Sequence, residues 1–158
     1  MIKPLTLILC IFFIVACQKE KVLFSKFESV PQGGWPADSA LSFRYESDQA
    51  GENVGVLVHL RHNSIYPFSN LFLFREIWLN GEKQFGDTIE IELADDYGRW
   101  NGKGIGSVKS MDFPFRNQKL RLESEGLYTF TFQHGMRIDS LQGIEKIGIT
   151  ILQIEDGE

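Results

Sequence analysis

The sequence predicts an all-β fold, a two-sheet antiparallel β-sandwich of jelly-roll-like topology with roughly eight strands. In several stretches apolar and polar residues alternate with a period of two, which places alternate side chains on one face of a strand. Clusters of Gly, Asn and Asp separate these stretches at short intervals. Phenylalanine is frequent, with 13 among 158 residues, and supplies the large side chains that a core between two sheets needs. No stretch shows the period of a long helix.

Three stretches alternate strictly and are predicted to be half-buried antiparallel strands. They are "LSFRYE" from Leu41, "DTIEIEL" from Asp87 and "YTFTF" from Tyr128. In the first, Leu41, Phe43 and Tyr45 share one face, and the intervening polar residues share the other. A first strand is expected near residues 22–27 and another near residues 120–123.

Three further stretches are apolar on both sides and are predicted to be central strands. They are "VGVLVHLR" from Val54, "NLFLFREIWL" from Asn70 and "KIGITILQI" from Lys146. The dipeptide Asn80-Gly81 follows the second of them. Because both of its residues tolerate positive φ, it predicts a type I′ hairpin.

The amino terminus has the layout of a lipoprotein leader. Lys3 precedes a run from Leu5 to Ala16 that carries no charge, and this run is shorter than the roughly 20 apolar residues that span a bilayer. Bulky Ile14 does not suit ordinary signal cleavage, whereas "IVAC" ending at Cys17 resembles the lipobox of bacterial lipoproteins. The resemblance implies that the Cys17 thiol is lipidated and that the leader is removed. The alternative is an ordinary leader with an incidental cysteine.

The predicted domains follow from this boundary: a signal peptide (1–16), a lipidated terminus with a short tether (17–21) and a single sandwich domain (22–158). The mature chain would keep Cys17 as its one cysteine, so no internal disulfide is expected. It would carry 15 basic and 21 acidic side chains, a net charge of −6. Such a surface disfavours nucleic acid as a partner.

Motifs for nucleotides, metals and nucleophilic catalysis are weak or missing in the sequence. The stretch "GRWNGKGIGS" from Gly98 has neither G-x-G-x-x-G nor P-loop spacing, and is predicted to be a loop. His59, near a strand end, and His62, in the following loop, lack a recognised ligand spacing, and so does His134. No G-x-S-x-G elbow occurs. We therefore expect no cofactor, no metal and no enzymatic activity.

Two loops carry aromatic residues among polar and turn residues instead of alternating into a core. They are "RHNSIYPFSN", residues 61–70, and "ADDYGRWNGKG", residues 94–104. Tyr97 and Trp100 in the second loop could stack on a sugar ring or form the centre of a protein interface. Alternatively, they pack against the rim of the sandwich.

Together with "YTFTFQHGMRIDSLQGIEKIGI" from Tyr128, these loops make the chain resemble the gliding-motility lipoprotein family GldH. The shared features are the lipobox, Trp35 in an early loop, the Arg-His-Asn…Tyr-Pro…Ser-Asn-Leu block from residue 61, Asp-Thr-Ile from residue 87 before a Tyr-Gly-x-Trp-x-Gly-Lys-Gly loop, and the Met136-Arg137 pair. One difference is "DSLQGI", residues 139–144, where the family pattern has Asp-Pro-Leu-Pro-Gly-Ile. Without the prolines we expect a looser loop.

The resemblance implies a cell-envelope lipoprotein of the gliding apparatus, which shares parts with the type IX secretion machinery. It supplies no catalytic residues. The matched residues become candidates for an interaction surface: Arg61, His62, Asn63, Tyr66, Asn70, Tyr97, Trp100, Lys103, Met136 and Arg137. Expected partners are the membrane, through the lipid on Cys17, and other envelope proteins of gliding and secretion.

Two functional hypotheses follow. The first is a non-enzymatic assembly or scaffold component, held at the outer membrane by its lipid and facing the periplasm. Gln18, in place of Asp after the lipidated cysteine, favours the outer membrane by analogy with other bacteria. The second hypothesis is a carbohydrate-binding sandwich that uses the aromatic residues of the two loops.

Overall fold

A computed structural model describes residues 21–154, and this range contains strands and their connections without a helix. Accordingly, residues 21–154 contain no helix that could cross a membrane. In chain order the strands are β1 (Lys21–Ser29), β2 (Trp35–Pro36), β3 (Leu41–Ser47), β4 (Glu52–Asn63), β5 (Asn70–Leu79), β6 (Glu82–Glu92), β7 (Val108–Pro114), β8 (Leu120–Leu122), β9 (Gly126–His134), β10 (Ser140–Leu141) and β11 (Ile144–Gln153).

The strands form two larger sheets and one short ribbon, and all pairs are antiparallel. The first sheet has the order β1-β11-β4-β7, with β8 also paired to β4. The second sheet has the order β3-β9-β5-β6, and β10 pairs with β2. Among the described strands, β5 and β6 are the only consecutive ones that pair with each other. Most other connections pass from one sheet to the other, as in jelly-roll-like sandwiches. The predicted fold class is confirmed.

The core lies between the sheets and is rich in phenylalanine. Phe43 of β3 packs edge-on against Phe132 of β9, with ring centroids 5.9 Å apart. Phe115 lies 5.6 Å from Phe130 and 5.7 Å from Phe132, also edge-on. All four rings are buried. Because burying one such side chain contributes about 1.5–3 kcal/mol, this cluster is a major source of stability.

The predicted central strands and the predicted hairpin are confirmed. Each of β4, β5 and β11 has strand neighbours on both sides and is therefore an interior strand of its sheet. The β5–β6 turn has φ values of 49° at Asn80 and 87° at Gly81, as a type I′ turn requires. The Asn80 side chain also accepts a hydrogen bond from the Leu127 amide at 3.0 Å, which ties the turn to β9.

Three strands were not predicted, and one histidine lies elsewhere than expected. The edge strand β7 mixes Lys, Ser and Asp with apolar residues and ends at a proline, so its alternation is weak. The short strands β2 and β10 exist through their mutual pairing, Trp35 with Leu141. His62 belongs to β4 and not to the following loop, because β4 continues to Asn63 between β7 and β11.

The strand register defines two ends of the sandwich. At the tether end β1 begins, with Lys21 opposite Gln153 of β11. At the opposite end, called the loop end below, lie the connections β4–β5 (64–69), β6–β7 (93–107) and β9–β11 (135–143). The two aromatic loops predicted from the sequence therefore meet at the same end of the molecule.

Candidate functional site

A column of rings forms the interior of the loop end. The centroids of Trp100 and His62 are 4.7 Å apart, those of His62 and Tyr66 are 6.0 Å apart, and those of Tyr66 and Phe68 are 5.9 Å apart. His62 and Tyr66 are buried. The Tyr66 hydroxyl donates to the backbone oxygen of Asn70 at 2.7 Å, and burial raises the pKa of this hydroxyl. The ring column joins the β4–β5 and β6–β7 loops.

The buried imidazole of His62 is incompletely satisfied. Its Nδ1 lies 3.4 Å from the backbone oxygen of Asn63, and its Nε2 has no hydrogen-bond partner among the described residues. Burial lowers its pKa, outweighing the hydrogen bond to Asn63 and the nearby charge of Glu145, which act in the opposite direction. The ring is therefore neutral near neutral pH, and its protonation is unfavourable in the folded state.

Asn63 organises the turn that follows β4. Its side-chain amide donates to Glu145 at 2.9 Å, and its side-chain oxygen accepts from the Ile65 amide at 3.1 Å. Its backbone amide donates to the oxygen of Gly143 at 2.8 Å. Gly143 has a φ of 84°, and a Cβ there would lie 2.4 Å from the Tyr66 backbone nitrogen. Only glycine fits this approach of two loops.

The β6–β7 loop is held by hydrogen bonds at its base and exposes apolar side chains along its length. Asp95 accepts from the backbone amides of Tyr97 and Arg99 and from the Arg99 guanidinium. The Arg99 amide is the largest of several influences that lower the Asp95 pKa. Tyr97 is 85% exposed, and Ile105 is 99% exposed. Ile65 in the neighbouring β4–β5 loop is 66% exposed.

An apolar groove lies beside these loops, on the outer face of the second sheet. Met136 and Arg137 follow β9, and the Phe72 amide of β5 donates to the Met136 sulfur at 3.4 Å. The groove has a volume of about 490 Å³ and is also lined by Phe68, Thr88, Gly135 and Ile138. Phe72 and Phe74 are exposed, so apolar surface continues from the groove along β5.

A second buried imidazole supports Trp35. The His134 Nε2 lies 3.0 Å from the Trp35 backbone oxygen, and the two rings meet edge-on at 5.6 Å. The Trp35 indole donates to the Ser39 oxygen at 2.8 Å. Burial lowers the His134 pKa, and its Nδ1 has no hydrogen-bond partner within the described range. Trp35 is thus a core residue at the loop end and not an exposed binding residue.

The segment 139–144 is ordered by the residues that stand in place of the prolines, contrary to the expected looser loop. Ser140 belongs to β10, and its hydroxyl donates to the Gly33 oxygen at 2.8 Å. The side-chain amide of Gln142 donates to the same oxygen at 2.7 Å. Two side-chain donors therefore fix the segment against the β1–β2 connection.

The ten sequence-predicted residues differ in accessibility. His62 and Tyr66 are buried; Asn63, Asn70, Trp100 and Met136 are half-buried; Arg61, Tyr97, Lys103 and Arg137 are exposed. Nine of them lie in or next to the loop end. Arg61 instead points to the outer face of the first sheet, beside Ser110. Across residues 21–154, no three His, Cys, Asp or Glu side chains converge to hold a metal ion. Cys17, the predicted lipidation site, lies outside the described residues.

Sequence reasoning missed Ile65 and Ile105, which are the exposed apolar side chains of the two loops. For Ile105 a signal was present, because it stands alone between Gly104 and Gly106 where no strand period explains it. Ile65 stands next to Tyr66 in the sequence and carries no such signal. The exposed pair Phe72 and Phe74 was assigned only to a central strand.

Comparison with known proteins identifies relatives along nearly the whole chain. The family model described as GldH lipoprotein matches residues 22–151. The "Gliding motility lipoprotein GldH homolog" of Christiangramia forsetii is 28% identical over 151 residues, covering 91% of each chain. The "Gliding motility lipoprotein GldH" of Flavobacterium johnsoniae is 27% identical over 154 residues, covering 93% of this chain and 94% of that protein.

Solved structures give only distant similarity. Dimeric latent PorU from Porphyromonas gingivalis aligns with a TM-score of 0.37 and 9% identity, over 86% of this chain. The chain spans only 14% of PorU. Similarity at this level says nothing about function.

Proposed function

The chain belongs to the GldH lipoprotein family, and on that premise we propose that it is a lipid-anchored envelope protein. In this proposal it is a non-enzymatic assembly component of the gliding apparatus and its linked type IX secretion machinery. The observation that carries this proposal is the position of the loop end, which lies at the opposite end of the sandwich from the start of β1. The relatives that match almost end to end are named for motility and not for a reaction.

The lipid anchor and the first strand set the orientation. From Cys17 to Lys21 the chain extends at most about 15 Å, because each residue spans at most 3.3–3.6 Å. Strand β1 then has nine residues, or about 30 Å at 3.3 Å per residue. The sandwich therefore rests near the membrane by its tether end and presents its loop end about 30 Å farther out. We place the anchor in the outer membrane and the domain in the periplasm.

The exposed residues of the loop end form the proposed docking surface. Ile65, Tyr97 and Ile105 present apolar side chains to solvent, and Met136 and Arg137 line the adjacent groove. Exposed apolar clusters mark interaction sites, and tyrosine and arginine are enriched among residues that dominate binding energy. The buried residues His62 and Tyr66 hold the loops in place beneath this surface.

The alternative is a carbohydrate-binding module that uses Tyr97 and Trp100. If two aromatic rings stack on the same sugar residue, each ring must have one face exposed to solvent. Tyr97 is open on its exposed side, but Trp100 is half-buried against the core and contacts His62. The geometry thus supports docking of a protein at Tyr97 better than a two-ring sugar platform.

The proposal is tested by crosslinking in cells, with Cys17 intact for correct placement. A photoreactive residue replaces Tyr97, and a matched control replaces exposed Glu82 at the tether end. We expect the probe at Tyr97 to capture gliding or secretion proteins that the probe at Glu82 does not capture. Identical captures from both positions, or capture of glycan alone at Tyr97, would contradict the proposed docking surface.

A further inference from the structure

Two unneutralised cations lie side by side on the outer face of the first sheet. The register places Lys146 of β11 directly opposite Arg61 of β4, and Arg61 opposite Ser110 of β7. Like charges in directly opposite positions destabilise a sheet. Among the described residues, no carboxylate forms an ion pair with either cation, and the Arg61 guanidinium donates one hydrogen bond, to the Ser110 hydroxyl at 3.4 Å. The fold does not explain this pair, whereas a bound anion would neutralise it.

An aromatic wall stands beside the two cations. The Phe27 ring of β1 extends over Gly148, where an added Cβ would lie 2.3 Å from the ring. It contacts the His59 ring, with centroids 5.1 Å apart. Phe27 is nevertheless 49% exposed. A glycine in the strand thus gives space to an aromatic ring that remains open to a ligand on its other side.

A chain of side-chain hydrogen bonds holds the polar residues of this face in position. His59 Nδ1 bonds to Asp112 at 2.7 Å, its Nε2 bonds to the Thr150 hydroxyl at 2.8 Å, and Thr150 contacts Ser25 at 3.1 Å. The order of groups is that of an acid–base–nucleophile triad. However, β4 and β11 are interior strands, so their backbone amides are used in the sheet and do not point at a developing oxyanion. The series is suited to binding and not to acyl transfer.

We propose that this face binds a carboxylated sugar residue of an acidic polysaccharide. The carboxylate lies between Arg61 and Lys146, and the sugar ring lies against Phe27. The Asp112 side chain is 57% exposed, so it can accept a hydrogen bond from a sugar hydroxyl in addition to the one from His59. The cavity has a volume of about 360 Å³, within the range of small-ligand sites.

The chemistry favours a sugar acid over an acidic peptide. A peptide partner would bury apolar side chains in a groove. Here Phe27 is the one exposed apolar side chain of the lining, because Leu60 is buried. The other lining side chains are charged or polar: Arg61, Lys146, Ser110, His59 and Asp112. A sugar ring has an apolar face that can pack on the Phe27 ring, and hydroxyl groups at its edge that can hydrogen-bond to the neighbouring polar side chains. This inference goes beyond the proposed assembly role and does not depend on it.

The test uses the full-length chain in detergent, titrated calorimetrically with tetragalacturonate and with its fully methyl-esterified form. The ester keeps the rings and removes the charges. We expect saturable binding of the acid, at least tenfold weaker binding of the ester, and at least tenfold weaker binding of the acid by Arg61→Gln or Lys146→Gln. Arg44→Gln, which removes an exposed cation from the second sheet, should bind like the unmodified chain.

Phe27→Leu should weaken binding of the acid while leaving its preference over the ester. If Phe27→Leu does not fold, the Arg61→Gln and Lys146→Gln variants still decide the outcome. Thermal unfolding of these two variants shows whether they keep the fold. No saturable binding of tetragalacturonate, or equal binding of the ester, overturns the proposal. So does hexaglutamate bound as tightly as the sugar acid, or loss of sugar binding in Trp100→Ala but not in Arg61→Gln.

Discussion

The indole of Trp100 meets the imidazole of His62 edge-on, with ring centroids 4.7 Å apart. His62 belongs to the first sheet, and Trp100 belongs to the loop that leaves the second sheet. This one contact therefore connects the two layers at the loop end. It also covers a buried imidazole whose Nε2 has no partner among residues 21–154.

Trp100→Ala should destabilise the fold by about 2 kcal/mol, less than the 3–5 kcal/mol of a fully buried tryptophan, because Trp100 is half-buried. Denaturant unfolding measures the loss. Trp100→Phe should retain most of the stability, and Tyr97→Ala should stay within about 0.5 kcal/mol of the unmodified chain. An equal loss in both alanine variants would mean that Trp100 does not hold the loop end together.

Stability should fall as the pH decreases below about 6.5, the usual histidine pKa. Burial lowers the pKa values of His62 and His134 in the folded chain, so below this pH the unfolded chain binds protons that the folded chain does not. Above pH 7 both states are neutral at these rings and the histidine contribution is flat. Urea unfolding between about pH 8 and pH 5.5 measures the slope. His62→Phe should reduce it, and an unchanged slope would exclude His62 as a cause.

Asp87→Asn should destabilise the fold by about 2–3 kcal/mol. The Asp87 carboxylate accepts two hydrogen bonds from the guanidinium of buried Arg75, at 2.7 and 2.6 Å, so the substitution leaves a buried charge without its counterion. Adding Arg75→Met should recover much of the loss, because methionine needs no counterion beside the Phe115 ring that Arg75 now covers. Additive losses in a double-mutant cycle would contradict this coupling.

Gly143→Ala should cost more stability than Gly106→Ala. Both glycines have positive φ, 84° and 68°, but an added Cβ meets the Tyr66 backbone at position 143 and nothing within 4 Å at position 106. The second variant measures the conformational cost alone, about 1 kcal/mol, and the first adds a steric clash with a backbone that cannot move freely. Thermal unfolding of the two variants, compared side by side, gives the difference. Equal losses would show that the two loops are not tightly apposed.

Cys17→Ser should leave the sandwich folded but prevent lipidation, because serine offers no thiol for the diacylglyceryl transfer that the lipobox resemblance implies. The variant is expected to be unprocessed or mislocalised. Membrane fractionation and labelling with radioactive palmitate check this. A serine variant that remains mature, labelled and in the membrane fraction would disprove lipidation at Cys17.

The period of two predicted the fold class, because strands such as β3, β6 and β9 bury alternate side chains. The central strands β4, β5 and β11 were predicted from their long apolar runs. The period of two could not predict β2 and β10, whose pairing depends on chain segments that are about 100 residues apart. It also missed β7, since an edge strand buries too little of itself to need a regular pattern.

The sequence predicted which loops form the candidate site, but not which of their side chains are exposed. The sequence brought Tyr97 and Trp100 together as neighbours in one loop, yet the structure exposes the first and half-buries the second. Which of these two aromatic residues turns inward depends on the contact with His62, 38 positions before Trp100 in the chain, and no local pattern carries that information. The cation pair Arg61 and Lys146 arises from strand register, which sequence alone does not give.

The pairing of β1 with β11 has a consequence for how the protein reaches its folded form. Among the described strands, β1 (residues 21–29) pairs only with residues 146–153 of β11, so the first described strand to be exported waits for the last one. Pairings of such large sequence separation are slow to form, since loop closure must precede any stabilisation. The lipid proposed for Cys17 would be attached next to β1. A truncation that removes β11 would leave both β1 and β4 with open edges prone to aggregation.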